Sequence, residues 1–247
     1  MINLSLAYGF ALVLFRAGAL CAVAPALGAK TVPARLRLAI ALAIAFAAHA
    51  STGFFEVEPP SQVLALAAAA ARETALGLCA GLAARWALDA AMAAGQLAGT
   101  SMGLGYGAIL DPNSGADSAV MGEIFSTTAL MLAVALGVHR EAVAWLCRSL
   151  RELPPGAAIP LRDLAAHAAS DAINATALAA RMAFPFLVAI TFGHAALGLL
   201  GRTAPQLNLS SIGFSVAILA GGAAVYLFAP SAAALAANAA VTALSRR

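Results

Sequence analysis

Apolar residues along this chain collect into long runs rather than the short alternating or amphipathic segments of a soluble domain. A helix needs about 20 mostly apolar residues to cross a bilayer, and several of these runs reach that length. The pattern therefore predicts an all-α membrane protein with about six long hydrophobic helices arranged as hairpins. The six regions lie at about 2–29, 36–55, 62–88, 120–138, 172–201 and 207–229, with a further apolar stretch after Pro230.

Helix-ending residues punctuate these regions. Glycine and proline disfavour a continuing helix, so they predict where each helix stops. The predicted breaks are Gly28 with Pro33, Gly53 with Pro59 and Pro60, Pro112 with Gly115, residues 154–156, and Pro205.

The stretch from His139 to Glu152 has a different pattern from the long apolar runs. Val143, Leu146 and Leu150 fall on one helical face, and charged residues occupy the rest. This spacing predicts a short amphipathic helix. We expect its apolar face to pack against neighbouring helices rather than to lie on a membrane surface.

Composition strengthens the membrane interpretation. Of the 247 residues 62% are hydrophobic and only 10% are charged, against about 25% charged in a typical soluble domain. No hydrophilic stretch is long enough to form a separate domain, so we expect one membrane domain over 1–247. The net charge of +3 is scattered and gives no basic cluster for nucleic acid. Residues 1–29 are expected to belong to the mature chain, because Arg16 interrupts their apolar run.

The loop charges do not give a simple topology. Lys30, Arg35 and Arg37 make the first loop positive, which predicts that it is cytoplasmic. Continued alternation would then place the arginines after residue 138 outside, against the same rule. Either one apolar region does not span the membrane, or the chain reaches its position by assembling with other proteins.

Arg16 is the clearest charge inside an apolar segment. Burying it without a partner costs from about 2.5 to more than 10 kcal/mol, so we expect a carboxylate or carbonyl partner. The candidate carboxylates are Glu73, Asp89 and Glu123. An assembly contact or a membrane-interface position is favoured over a proton relay, because the apolar regions hold no chain of acids and histidines at helical spacing.

The residues offer little for metal binding or catalysis. The three cysteines are far apart, and no histidine lies three or four residues from another histidine or a cysteine. The glycine-rich stretch from Gly103 to Gly107 lacks the lysine of a phosphate-binding loop. We therefore predict a protein that is not an enzyme and uses no cofactor.

Glycines four residues apart mark close helix packing. Gly77 and Gly81 form one such step, and Gly95, Gly99 and Gly103 form two more in register. Glycines on one face allow another backbone to approach closely. The second set runs into a glycine- and proline-containing stretch. This order is compatible with an irregular segment at membrane depth that lines a conduit, and equally with a packed helix followed by an external loop.

Four motifs, in order along the chain, resemble the FliR family of flagellar export-gate proteins. The opening carries FRAG at 15–18, AP at 24–25 and VPARLR at 32–37. The segments GQLAGTSMG at 95–103 and DPNSG at 111–115 are similar to the family's Gly/Met-rich helix and D-P-x-x-G loop. Together with the later motifs, the resemblance covers nearly the whole chain.

The most specific match lies near the last apolar region. Residues 198–208 read GLLGRTAPQLN, which resembles the family signature G-L-L-x-R-x-A-P-Q-x-N, and 149–156 contains a similar S-x-x-x-x-P-x-G segment. The sequence departs from the family after Asn208. Ser215 and Ala217 stand where relatives carry a proline and a lysine, so the turn into the last helix is expected to differ.

The resemblance implies a function that composition alone does not give. It implies a non-enzymatic subunit of the flagellar type III protein export gate in the bacterial inner membrane, at the flagellar basal body. FliP-like and FliQ-like membrane subunits would form the channel for unfolded substrates with it. FlhB-like and FlhA-like export components and membrane lipid would be further partners, and nucleic acid would not.

The resemblance also implies two sets of functional residues. One would project into the channel as a plug: Met102, Gly103, Gly105, Tyr106, Asp111, Pro112 and Gly115. The other would make assembly contacts: Arg16, Pro25, Pro33, Arg35, Gly95, Gly99, Arg202, Pro205, Gln206 and Asn208. Two other functions stay open on the sequence, the equivalent subunit of an injectisome and, less favoured, a small secondary transporter.

Overall fold

The fold is seen in a computed structural model, which describes residues 3–28, 33–104, 120–158, 160–203 and 209–245. Within those ranges the chain forms helices and no strand, which confirms the all-α prediction. The helices are α1 Leu4–Val23, α2 Ala34–Thr52, α3 Val63–Ser101, α4 Val120–Ala135, α5 Val138–Glu152, α6 Leu161–Thr203 and α7 Leu209–Ser245.

Five helices within the described residues are long and apolar enough to cross a membrane. The pair α4 and α5, bent by 61° at their junction, raises the number to six if it counts as one broken span. The count agrees with the predicted six hydrophobic helices. By itself α4, with 16 residues, is about 24 Å long at 1.5 Å per residue, shorter than the roughly 30 Å hydrocarbon core.

The structure corrects the predicted lengths of three helices. The third apolar region continues as helix to Ser101, the fifth begins already at Leu161, and the last runs through Pro230 to Ser245. Hydropathy indicates only which residues are apolar, whereas the length of a helix also depends on the helix propensity of the residues beyond the apolar region. Alanine, the best helix former, fills the extensions.

Several predicted breaks are where the structure ends or starts a helix. Gly53 ends α2 with a left-handed φ of 103°, a conformation that glycine adopts without steric cost. Pro33 precedes α2 at its N-cap. Gly137, with φ 88°, separates α4 from α5; it was not among the predicted breaks.

The chain divides into two compact units. Unit 1 comprises Met1–Trp86, Ala133–Ile173 and Asn238–Arg247, and unit 2 comprises Ala87–Leu132 and Asn174–Ala237. The helices α3, α6 and α7 contribute residues to both units. That the whole chain is a single domain remains a prediction.

In unit 1, α1, α2 and α5 pack around a core of mainly small and aliphatic side chains. Leu12, Val13 and Leu20 of α1 and Leu146 and Leu150 of α5 are almost completely buried. The amphipathic helix predicted at 139–152 is α5, and its apolar face is buried in the unit, as expected. Trp145 is buried as well, at 5% exposure, and packs in the core.

In unit 2, small residues and phenylalanines join the helices. A Cβ on Gly95 of α3 would lie 2.6 Å from the carbonyl oxygen of Met121 on α4, so only glycine allows this approach. Phe125 of α4 lies edge-to-face with Phe186 of α6, and Phe186 lies edge-to-face with Phe228 of α7. These contacts hold α3, α4, α6 and α7 together within the unit.

Candidate functional site: a buried charge network

Arg16 lies in the middle of α1 and is completely buried inside unit 1. Its Nε donates to Oε2 of Glu73 on α3 at 2.7 Å, and its Nη2 contacts the same oxygen at 2.6 Å. The prediction that Arg16 needs a carboxylate partner is confirmed, and the partner among the three candidates is Glu73. The pair joins α1 to α3 across 57 residues of sequence.

The Nη1 group of Arg16 binds the end of α5. Its two N–H groups are shared among three acceptors, which are the carbonyl oxygen of Ser149 at 3.0 Å, the Ser149 hydroxyl at 2.8 Å and the carbonyl oxygen of Leu153 at 3.0 Å. The last carbonyls of a helix have no partner within the helix and carry partial negative charge. The guanidinium therefore caps α5 and is stabilised by it.

Glu73 is buried at 1% exposure and also links two segments. While Oε2 binds Arg16, Oε1 accepts a hydrogen bond from the backbone N–H of Gly156 at 3.0 Å. Gly156 lies in the turn after α5 with φ 82°, where glycine is favoured. The network therefore ties α1, α3, the end of α5 and the following turn into one hydrogen-bonded cluster.

Two glycines on α3 bring the backbones of α1 and α3 together beside this network. A Cβ on Gly77 would overlap the backbone carbonyl of Arg16, and one on Gly81 would lie 3.2 Å from the backbone of Leu20 and Ala24. The predicted role of this glycine pair in close helix packing is confirmed. The short distance between helices keeps water away from the ion pair.

This arrangement is suited to fixing helix positions rather than to chemistry. Charge-assisted contacts join the two side chains and hold α1 against α3. Among the described residues, no group of three or more His, Cys, Asp and Glu could hold a metal ion. A cleft of about 330 Å³ beside α5 is lined by Leu136, Gly137, Arg140, Glu141, Ala144 and Val241.

A second interaction fixes α5 at its other side in unit 1. Arg148 donates to Glu141 at 2.9 Å and to the backbone carbonyl of Leu244 at 2.8 Å. Arg148 is about one-third exposed, so water weakens this ion pair more than the buried one.

Of the residues predicted to form a channel plug, the structure describes two. Met102, at the end of α3, is 2% exposed and its side chain fills the space over Gly221 of α7. Gly103 follows with φ 82°. The others, Gly105, Tyr106, Asp111, Pro112 and Gly115, lie outside the described residues.

The predicted assembly contacts are placed differently from one another. Arg16, Pro25, Gly95 and Gly99 are buried within their own units, whereas Pro33, Arg35 and Arg202 are exposed. Pro205, Gln206 and Asn208 lie outside the described residues. That these residues contact another subunit stays a prediction. For Arg16, whose partners are on this chain, any effect on assembly would be indirect.

The sequence did not indicate the environment of His49. This residue, 2% exposed in α2, lies among the rings of Phe10, Phe54 and Phe55 at centroid distances of 5.4–6.0 Å. Neither ring nitrogen has a hydrogen-bond partner in the described part of the chain. A single histidine without a nearby ligand gives no sequence signal for such packing.

Comparisons with known proteins agree with the motif resemblance. A family profile described as bacterial export proteins, family 1, matches residues 7–242. The flagellar biosynthetic protein FliR of Escherichia coli is 32% identical over 209 residues, which cover 84% of this chain and 79% of that protein. FliR of Caulobacter vibrioides is 26% identical, covering 87% and 85%, and FliR of Bacillus subtilis is 27% identical, covering 85% and 81%.

Proposed function

Because this chain belongs to family 1 of the bacterial export proteins, which includes FliR, we propose that it forms the channel of the flagellar export gate with FliP-like and FliQ-like subunits. Family membership makes the chain a membrane component of the flagellar export apparatus, not a member of a catalytic family. The finer proposal adds that unfolded substrates pass along a path that this subunit lines.

The observation that carries the proposal is the length of apolar helix left exposed. The helices α3, α6 and α7 have 39, 43 and 37 residues, so they are about 55–65 Å long at 1.5 Å per residue. A bilayer core covers only about 30 Å. Lipid tails therefore cannot cover the whole length of such a helix if it runs across the bilayer, and apolar helices of neighbouring subunits would cover the exposed apolar remainder.

The helix α7 has the clearest exposed apolar surface. From Thr203 to Ser245 the sequence carries no charged residue, yet Leu219 and Tyr226 are 73% and 82% exposed. Exposed apolar patches of this extent are typical of protein interfaces or lipid contact. The unusual length favours interfaces with sister subunits over lipid for part of the helix.

The plug assignment is part of the same proposal. We place the plug in the segment from Met102 to Gly115, by its match to the family's D-P-x-x-G loop. The burial of Met102 against Gly221 supports a fixed attachment for the start of this segment. FlhB-like and FlhA-like components are the further partners that we propose, at the inner membrane and the flagellar basal body. The flagellar names of the relatives favour a flagellum over an injectisome.

The test uses the full chain expressed with its FliP-like and FliQ-like neighbours. Deleting residues 111–115 should leave copurification of the three proteins intact and raise ion conductance when the complex is in a bilayer. Gly18→Ala is the matched control, because a Cβ at Gly18 meets no atom within 4 Å. Unchanged conductance in an assembled complex would show that the plug is elsewhere. A chain that does not copurify with these neighbours would contradict the proposed gate.

A further inference from the structure

Two long helices of unit 2 each contain a proline that does not interrupt them. Pro185 lies within α6 and Pro230 within α7, and both helices continue through these positions. Proline has no N–H, so each one removes a hydrogen bond to the carbonyl four residues earlier. The carbonyl of Arg181 and the carbonyl of Tyr226 thereby lose their helical donors.

Contacts between α6 and α7 show that these helices run antiparallel within unit 2. A Cβ on Gly213 of α7 would lie 3.9 Å from Leu197 of α6, and one on Gly193 of α6 would lie 3.5 Å from Ala220 of α7. Further along, Phe186 lies edge-to-face with Phe228 at a centroid distance of 6.1 Å. From the Phe186 contact to the Leu197 contact, residue numbers rise along α6 while those of the contacting residues on α7 fall from 228 to 213.

This register brings the two prolines to one level. Pro185 is one residue from Phe186, and Pro230 is two residues from Phe228, in the same direction along the hairpin. At 1.5 Å per residue, the two prolines differ in height by about 1.5 Å. Both backbone hydrogen-bond ladders are therefore interrupted at the same cross-section.

The side chains at this level also differ from those further along the hairpin. Phenylalanine rings meet edge-to-face at Phe186, with Phe125 on one side and Phe228 on the other, whereas small residues meet at Gly193 and Ala220. Small residues hold backbones at a fixed close distance. Edge-to-face rings keep favourable contact over a range of centroid distances of about 4.5–7 Å.

We propose that Pro185 and Pro230 form a hinge across α6 and α7, about which residues 186–203 of α6 and 209–227 of α7 tilt together. Helix bending concentrates at proline positions, and two prolines at one level allow both helices to bend together. Gly221, which accommodates Met102, lies on the tilting part. The tilt therefore moves Met102 at the end of α3. This role in the gate rests on the proposed function.

The hinge is tested by amide hydrogen exchange on the assembled complex, with peptides covering each proline turn. Pro185→Ala restores an N–H donor for the carbonyl of Arg181. A hydrogen bond of ordinary net strength slows local exchange by about fivefold. For a shared hinge, exchange slows in the Pro230 turn of α7 as well. The reciprocal Pro230→Ala variant slows exchange at Pro185.

Thr191→Ala is the matched control, since it changes an exposed side chain of α6 without adding a backbone donor. It should leave both turns unchanged. Slowing confined to the substituted helix, or equal slowing in the control, overturns the hinge. Alanine favours helix over proline at both positions, so the variants are expected to fold.

Secretion of flagellar substrates by cells carrying each variant tests the link to the gate. The proline variants should copurify with their partners and secrete several-fold less than wild type. Normal secretion together with slowed exchange overturns the role of the hinge in export and leaves the gate assignment standing. A wild-type chain that fails to copurify contradicts the gate instead.

Discussion

Replacing Arg16 with leucine tests whether the buried charge network stabilises unit 1. The substitution leaves Glu73 buried, with the N–H of Gly156 as its remaining donor among the residues that the structure describes. It also removes a donor from three acceptors at the end of α5, which are the Ser149 hydroxyl and the carbonyls of Ser149 and Leu153; the Ser149 carbonyl keeps the N–H of Leu153. Leucine contributes apolar contacts but cannot satisfy any of these groups.

The expected loss is large for a single substitution. Removing one partner of a buried ion pair costs about 3–5 kcal/mol, because the other charge stays buried. For a chain of this size each kcal/mol corresponds to roughly 2–4 °C in Tm, so we expect a decrease of about 6–20 °C.

Thermal unfolding in detergent, followed by the fluorescence of Trp145, measures this change. Trp145 is buried in α5, and Trp86→Phe removes the signal of the second tryptophan. Arg181→Leu is the control, because that arginine is exposed on α6; its Tm should change by no more than about 2 °C. Equal Tm changes for the two arginine variants would refute the reasoning.

A double-mutant cycle separates the ion pair from the rest of the network. If Arg16 and Glu73 stabilise each other, Arg16→Leu combined with Glu73→Leu should cost less than the sum of the single variants, by about 0.5–3 kcal/mol. Strict additivity would show that the pair contributes nothing beyond its separate contacts. Because Arg16→Leu lowers the amount of folded chain, we also expect less of this variant to copurify with the partner subunits.

Four substitutions test the glycine and arginine contacts. Gly77→Val should destabilise the chain by about 1–3 kcal/mol, since its Cβ overlaps the backbone of α1, whereas Gly18→Ala should be neutral or stabilise by up to about 1 kcal/mol; thermal unfolding measures both. Gly221→Ala should displace the flexible side chain of Met102, which increases its oxidation by peroxide in mass spectrometry, and unchanged oxidation would contradict that contact. Arg148→Leu should cost less than about 1 kcal/mol because the side chain is partly exposed; a loss as large as that of Arg16 would contradict the importance of burial.

The apolar pattern predicted the helical class and the number of long helices, because the bilayer imposes a length on apolar runs. It also predicted a partner for Arg16, because the cost of burying an unpaired charge demands one. Three candidate carboxylates for this partner follow from the sequence, which did not indicate that Glu73 is the one that binds Arg16. That choice depends on how α1 crosses α3 at Gly77, which is a tertiary property.

The sequence pattern did not predict the hydrogen-bond acceptors at the end of α5. Backbone carbonyls of Ser149 and Leu153 carry no side-chain signature, and their position relative to Arg16 depends on contacts 133 and 137 residues apart. Helix ends were also predicted imperfectly. The sixth apolar region is predicted to end at about residue 229, whereas the helix continues through Pro230 to Ser245, since packing of α7 outweighs the loss of one hydrogen bond.

The distance in sequence between Arg16 and its acceptors has a consequence for biosynthesis. Ribosomes add roughly 5–20 residues per second, so the 133 residues that separate Arg16 from Ser149 take about 7–27 s to synthesise. During this interval α1 has left the ribosome with a bare guanidinium, and even Glu73 follows only 57 residues later. Until its partners are synthesised, the unpaired guanidinium disfavours insertion of α1 into lipid by about 2.5 kcal/mol or more. We therefore expect α1 to reach its final position only after the chain as far as Gly156 has been made.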